Sequence, residues 1–223
     1  MFIHNTPMPS DALKANILET TKAYTGFFEL RRLTIVHDLF NGGTTGPLVR
    51  EVLHRSDVAA ALLYDPATDK VVLVEQYRAG AHVAAAAPWL IDIVAGRIEA
   101  GQTPLDTITR EIFEESGLVP TSIQQIGTYL TAPHMSSEIV HIFFATVDAE
   151  SLAGLHGVAH EGEDIRPHAL DRTAALDMLR TQPLSLWAGL ALGWLGNRNL
   201  SGPDGGGSLL VGSNVCSHAV TGQ

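Results

Sequence analysis

The alternation of apolar and polar residues divides this chain into short β-like runs first and helical periods later. Up to about Thr25 the pattern is mixed and fits an arm or a short helix. From Phe27 to Leu39, FFELRRLTIVHDL is rich in β-branched and large apolar residues, and Asn41-Gly42-Gly43 follows with residues that tolerate positive φ. This predicts an N-terminal antiparallel hairpin whose second strand runs through Val49 to Leu53. Two apolar runs, Val58 to Tyr64 and Lys70 to Glu75, flank the turn-forming Asp65-Pro66-Ala67-Thr68-Asp69 and predict a second hairpin. After an Ala-rich loop at Ala84 to Ala87, Trp89 to Ala95 is expected as one buried strand ending at Gly96.

Thr103 suits an N-cap and Pro104 the first helical position, where its missing N–H costs nothing. Leu105, Ile108, Ile112 and Glu115/Ser116 keep a helical period until Gly117 supplies the stop. Strands are expected at Ile123 to Leu130 and Ile139 to Val147, and helices at Thr173 to Thr181 and Leu184 to Leu195. The segment from Asn199 to Gln223 is Gly/Ser-rich and expected to be a flexible tail. No internal repeat is visible, and the order of elements predicts an α+β (mixed α/β) fold without regular βαβ alternation.

Composition narrows the classes. At 223 residues with 45% hydrophobic and 17% charged residues, the chain has ample material for one catalytic domain with extra elements. A formal net charge of −10 argues against a nucleic-acid partner, yet suits a site where clustered carboxylates collect divalent cations. Cys216 is the only cysteine, which excludes an intrachain disulfide and a thiolate zinc site, and a reducing, cytoplasmic setting is expected. Met1 to Ser10 lacks the pattern of a secretory leader, and the apolar run Pro183 to Gly196 falls short of the roughly 20 residues a membrane span needs.

The chemistry concentrates in Gly96 to Leu118, GRIEAGQTPLDTITREIFEESGL. Glu111 and Glu115 stand one helical turn apart with Glu114 beside them, and all three crowd the helix C-terminal end, where the macrodipole disfavours negative charge. Arg110 can offset one of them. A hard divalent cation such as Mg²⁺, which shares itself between carboxylates and phosphates, resolves the remaining conflict. Alone, EIFEE would read as a solvated acidic face.

The full stretch resembles the box of the Nudix hydrolase family. Gly96, Arg110, Glu111, Ile112, Glu114, Glu115, Gly117 and Leu118 fall in register, while Gln102 stands where that box has a glutamate. As a neutral amide, Gln102 can still hydrogen-bond locally and is expected to bind a cation more weakly, with metal binding reduced or altered and activity kept. The resemblance covers roughly Gly26 to Leu195 and is closest to the bacterial ADP-ribose pyrophosphatase branch. It is carried further by Gly26-Phe27-Phe28, Val49-Arg50-Glu51, Val74-Glu75-Gln76-Tyr77-Arg78, Pro88-Trp89-Leu90, Pro133 and Glu161-Gly162-Glu163-Asp164-Ile165. Ala132-Pro133-His134-Met135 departs from the Ser-Pro-Gly-Gly of that branch.

The resemblance implies a Nudix-type α/β/α sandwich over residues 57–198, preceded by an N-terminal antiparallel strand region over 1–56 and followed by the tail 199–223. It implies metal binding by the Ala95 carbonyl, Glu111 and Glu115, with Glu114 and Glu163 contributing, Arg110 supporting catalysis and Glu161 acting as the general base. For substrate it implies Phe27, Arg50, Arg78, Arg97 and Glu138. Without the resemblance, strand-surface salt bridges for the arginines, core packing for Phe27 and a solvated loop acid for Glu161 remain open. The histidines His82, His134, His141, His156 and His160 show no metal-ligand spacing and are expected at the surface or in loops.

The implied reaction is Mg²⁺-dependent (or Mn²⁺-dependent) hydrolysis of ADP-ribose to AMP and ribose 5-phosphate, in a homodimer joined through the N-terminal strands. The alternatives are another nucleoside diphosphate sugar, such as GDP-mannose or ADP-glucose, and a Nudix-fold ADP-ribose sensor without turnover.

Overall fold

A computed structural model describes residues 12–198, so the expected tail and Cys216 lie outside the described residues. The N-terminal part is an antiparallel sheet of β1 (Ala15–Thr25), β2 (Glu29–His37) and β3 (Leu48–His54), in that order. Where the sequence pattern fits an arm or a short helix, β1 is instead an eleven-residue strand, exposed along its whole length. It buries no apolar face that could have announced it. Its regularity comes from the ladder to β2, from Ala15 opposite His37 to Thr25 opposite Glu29.

A larger mixed sheet follows. β4 (Val58–Asp65) and β5 (Lys70–Tyr77) form the second hairpin, then come the short helix α1 (Ala79–Val83), β6 (Trp89–Asp92), β7 (Val94–Arg97) and helix α2 (Pro104–Ser116). Strands β8 (Ser122–Leu130), β9 (Ile139–Thr146) and β10 (Arg166–Asp171) precede helices α3 (Arg172–Thr181) and α4 (Leu186–Gly196). The strand order is β10-β5-β4-β9-β8, with β6 on β5 and β7 on β4; only β4 and β9 run parallel.

β4 is buried at every position because both of its faces are covered. Val58, Ala60 and Leu62 meet Ala188, Leu192 and Leu195 of α4, whereas Ala59, Ala61 and Leu63 meet Ile108 and Ile112 of α2. Helices on both faces of one sheet make the three-layer α/β/α arrangement. At the β4–β5 turn, buried Asp65 accepts hydrogen bonds from the Ala67 amide (2.8 Å), the Thr68 hydroxyl (2.7 Å) and the Ala149 amide (3.1 Å).

Besides β1, three more elements depart from the sequence expectation. Trp89 to Ala95 is two strands, because the chain leaves the edge of β5 at Asp92 and joins β4 at Val94. The Ile93 amide at the crossing is taken by the Asp92 carboxylate at 2.9 Å. β10 was not expected, since RPHALD is short, carries Pro167 and lies at a sheet edge, where a missing N–H is tolerated. Helix α1, just before the Ala-rich loop, buries no residue and so left no apolar period to read. Among the described residues, no helix is long and apolar enough to cross a membrane.

Candidate active site

Helix α2 starts in a capping box: the Asp106 amide donates to the Thr103 hydroxyl (3.1 Å), and the Thr103 amide donates back to the Asp106 carboxylate (3.2 Å). The helix ends at Gly117, whose φ of 71° a side chain would strain. Ile108, Ile112 and Glu115 lie on one buried stripe, so the fold that buries the two isoleucines also buries a carboxylate, 2% exposed. The Ala95 amide of β7 donates to Glu115 Oε2 at 3.2 Å.

β7 also explains Gly96. A Cβ there would lie 1.8 Å from Glu111 Oε1, so the carboxylate occupies the space that a side chain would fill. Burial and the Glu111 charge push Glu115 well above the ordinary carboxylate range, against the opposing pull of Arg78 and the Ala95 amide. Burial likewise raises Glu111 to about 7, with Arg110 opposing and Glu114 and Glu163 adding to the rise. Arg110 bridges the pair beside it, donating to Glu111 Oε1 at 2.7 Å and to Glu114 Oε2.

The loop after β9 brings two more acids. His156 and Ile165 exchange backbone hydrogen bonds (2.8 and 3.0 Å) that close its base, and the Gly157 amide donates to the Glu114 carbonyl at 3.0 Å. This ties the loop to the C-terminal end of α2. Glu163 accepts from the Val158 amide at 3.1 Å, and Glu161 projects from a short 3₁₀ turn, exposed. The His156 ring covers Gly117, where a Cβ would come within 2.5 Å of Cε1.

These parts surround a cavity of about 590 Å³, within the range of small-molecule sites. Glu99, Glu111, Glu114, Glu161 and Glu163 form its acidic wall, and Arg55, Arg78, Arg97 and Arg110 stand among and opposite them. Phe27 and Phe28 from the β1–β2 turn complete it. Arg97 lies over the Phe27 ring (5.6 Å) and Arg55 over the Phe28 ring (5.2 Å), with the two rings edge to face at 4.8 Å. Phe27 is nevertheless 78% exposed, a large aromatic face with room for a ligand.

Comparison with known proteins agrees with this layout. A family model for the NUDIX domain matches residues 53–183. The chain belongs to the NUDIX family. It is 36% identical over 192 residues to the ADP-ribose pyrophosphatase of Escherichia coli (strain K12), covering 86% of this chain and 92% of that protein. With the ADP-ribose pyrophosphatase of Haemophilus influenzae the identity is 38% over 162 residues, 71% of this chain and 75% of that one. A GDP-mannose pyrophosphatase of Yersinia enterocolitica is 30% identical over 155 residues, 69% of this chain and 79% of that one. This NUDIX chain is therefore a hydrolase.

Within it, the expected residues divide into two groups. Phe27, Arg78, Ala95, Arg97, Arg110, Glu111, Glu114, Glu161 and Glu163 line one cavity, with Glu115 directly behind Ala95. Arg50 does not reach it: at an exposed position of β3, its guanidinium donates to the Val49 carbonyl at 2.8 Å. Glu138 is buried and pairs with Arg55 at 2.6 Å, so it meets the cavity through that arginine. Gln102 stands outside the cavity wall and accepts from the buried Thr107 hydroxyl at 2.9 Å, so an amide there removes no carboxylate from the cluster. The departing loop Ala132 to Ser137 docks on β3, where the Leu53 amide donates to the Met135 carbonyl at 2.8 Å.

Sequence reasoning missed Arg55, Phe28 and Glu99. Glu99 lies inside the box stretch three residues past Gly96, which is the signal that pointed to it; Arg55 had none.

The donor set fits a hard cation. Half-buried Glu111 stands against Gly96, which leaves room for it, and buried Glu115 feels its charge from one helical turn on, an arrangement a divalent ion would relieve. Among the described residues no three acid or imidazole side chains already converge on one point, and Arg110 spans Glu111 and Glu114 in that place.

Proposed function

We propose that this hydrolase cleaves the diphosphate of ADP-ribose, giving AMP and ribose 5-phosphate, with Mg²⁺ or Mn²⁺ as cofactor. The observation that carries the reading is the partition of one cavity into a carboxylate wall, a set of guanidinium groups and an exposed aromatic face. Diphosphate needs the second, a base the third, and a cation the first. The pyrophosphatases to which the chain is similar act, by name, on ADP-ribose and GDP-mannose.

Glu111 and Glu115, with the Ala95 carbonyl and contributions from Glu114 and Glu163, would hold the metal. When bound, it screens phosphate charge and lowers the pKa of the attacking water. Arg78 and Arg97 hold the phosphates, and Phe27 packs on the base. As water attacks one phosphorus, the P–O–P bridge breaks and Glu161, on an exposed loop that can follow the substrate, accepts the water proton.

A C2 homodimer through the N-terminal sheet completes the proposal. Its support is the fully exposed strand β1, with Ile17 and Leu18 each more than half exposed, and the outward position of Arg50, which a neighbouring copy would bring to a second cavity.

The test is product analysis with ADP-ribose, GDP-mannose and ADP-glucose. Metal-dependent AMP release from ADP-ribose, abolished by Glu115→Gln and by chelation, is the expected result. Faster GMP release from GDP-mannose would overturn the substrate assignment, and ADP-ribose binding without product would overturn the reaction.

A further inference from the structure

A second cavity of about 330 Å³ opens from the first. The two share one wall, Arg55, Arg78, Ala95, Gly96 and Arg97, where guanidinium groups crowd a glycine-bearing strand. Beyond that wall the cavities differ in chemistry. The larger leads to the acids and to Phe27 and Phe28. The smaller leads to the start of α4, where Leu90, Leu186 and Trp187 give apolar surface and Asp92 and Ser185 give polar atoms.

The polar pair is a built arrangement. Asp92 is 2% exposed, and its Oδ1 accepts from the Ser185 hydroxyl at 2.5 Å as well as from the Ile93 amide at 2.9 Å. Ser185 is at the same time the N-cap of α4, accepting from the Ala188 amide at 3.1 Å. Asp92 Oδ2 meets the Arg78 guanidinium at 3.5 Å, long for a hydrogen bond, so this oxygen keeps accepting capacity toward the shared wall.

A nucleoside diphosphate sugar has two heads joined by a diphosphate. With phosphates on the shared guanidinium wall, one head must enter each cavity. The exposed aromatic pair and the greater volume suit the base. The smaller cavity offers an aromatic ring for stacking against C–H groups and a carboxylate oxygen for hydroxyls, which is the chemistry of sugar recognition.

We propose that the Trp187/Asp92 cavity is the subsite for the sugar at the non-nucleotide end of the substrate. Trp187 is the stacking face, Asp92 Oδ2 accepts from ring hydroxyls, and the choice among diphosphate sugars is made here. This rests on the functional reading above, but it is tested without turnover. Ribose 5-phosphate, mannose 1-phosphate and AMP are titrated separately against the full chain while tryptophan emission is followed.

A saturable response to either sugar phosphate, lost in Trp187→Phe, is the expected result. A response to AMP alone, or the same response in the variant, overturns the assignment. In product inhibition, Trp187→Ala raises the inhibition constant of the sugar phosphate about tenfold and leaves that of AMP within twofold. The opposite pattern, or no change in either, also overturns it. Trp187 is half-buried and packs on the core, and Trp187→Phe keeps an aromatic ring in that packing, so the titration stays readable even if Trp187→Ala fails to fold. Failure of wild-type turnover on every diphosphate sugar would sink the functional reading while leaving the titration readable.

Discussion

Replacing Glu111 by Gln should make the metal-free protein more stable while destroying its activity. Burial holds this carboxyl near 7 against an ordinary value of 4.5, with Arg110 pulling it down and Glu114 and Glu163 pushing it further up. A folded-state pKa raised in this way gives stability that is complete below about 4.5 and lost as pH rises through about 7. At roughly 1.4 kcal/mol per pH unit, the shift corresponds to about 3 kcal/mol at most, and to about 2 kcal/mol once screening at the open edge of the cavity is allowed for. Gln keeps the shape that fits against Gly96 and removes the charge. In EDTA at pH 8, Glu111→Gln should therefore gain about 2 kcal/mol, or roughly 4–8 °C in Tm, while at pH 4.5 the two proteins should coincide. Urea titrations at both pH values measure this. With Mg²⁺ present the order reverses, because only the wild type gains the roughly 3 kcal/mol that a ligand at about 100 times its Kd supplies. A variant that is less stable at pH 8 without metal, or a gain equal at both pH values, would refute the reasoning.

Other residues give independent checks. Gly96→Ala should cut kcat at least about 100-fold by displacing Glu111, whose Oε1 lies 1.8 Å from the added carbon, and a thermal scan should show the domain still folded. Glu161→Gln should lower kcat by about 10²–10⁴ with little change in KM, since the loop acid is exposed and acts on the water; a KM effect alone would remove it as the base. Gly117→Ala combines a strained φ of 71° with a 2.5 Å approach to His156, so about 1–2 kcal/mol of stability should be lost, read by urea unfolding. Burial tends to raise Asp65, but hydrogen bonds from Thr68, Ala67 and Ala149 outweigh it and hold the group low. Its contribution is therefore present above about 3.8 and lost as pH falls through the folded value; Asp65→Ala should cost about 2–4 kcal/mol at pH 7 and less in acid.

Much of the site was legible because its residues are local. Gly96 through Gly117 is a strand end, a turn and one helix, so the spacing of its acids along α2 follows from helical period alone. Glu161 and Glu163 were legible only through resemblance, because a loop acid has no period to read. Arg55 was invisible: its place depends on the Glu138 ion pair and on Phe28, both distant in sequence. For Gln102 the amide chemistry implies a local hydrogen bond, and the fold decides that its partner is Thr107.

Local pattern alone accounts for the elements that bury apolar residues, the β4–β5 hairpin, α2, β9, α3 and α4, because a buried apolar stripe or run must fit its element's period and length. It also determined that three carboxylates share one helix end. Packing and strand pairing across the fold seal Glu115 from water, break Trp89 to Ala95 at Ile93 to serve two neighbouring strands, and make β1 a strand. Those outcomes depend on which partner each backbone and side chain finds across the fold. Burial and strand pairing are properties of that partner, and no local pattern encodes them.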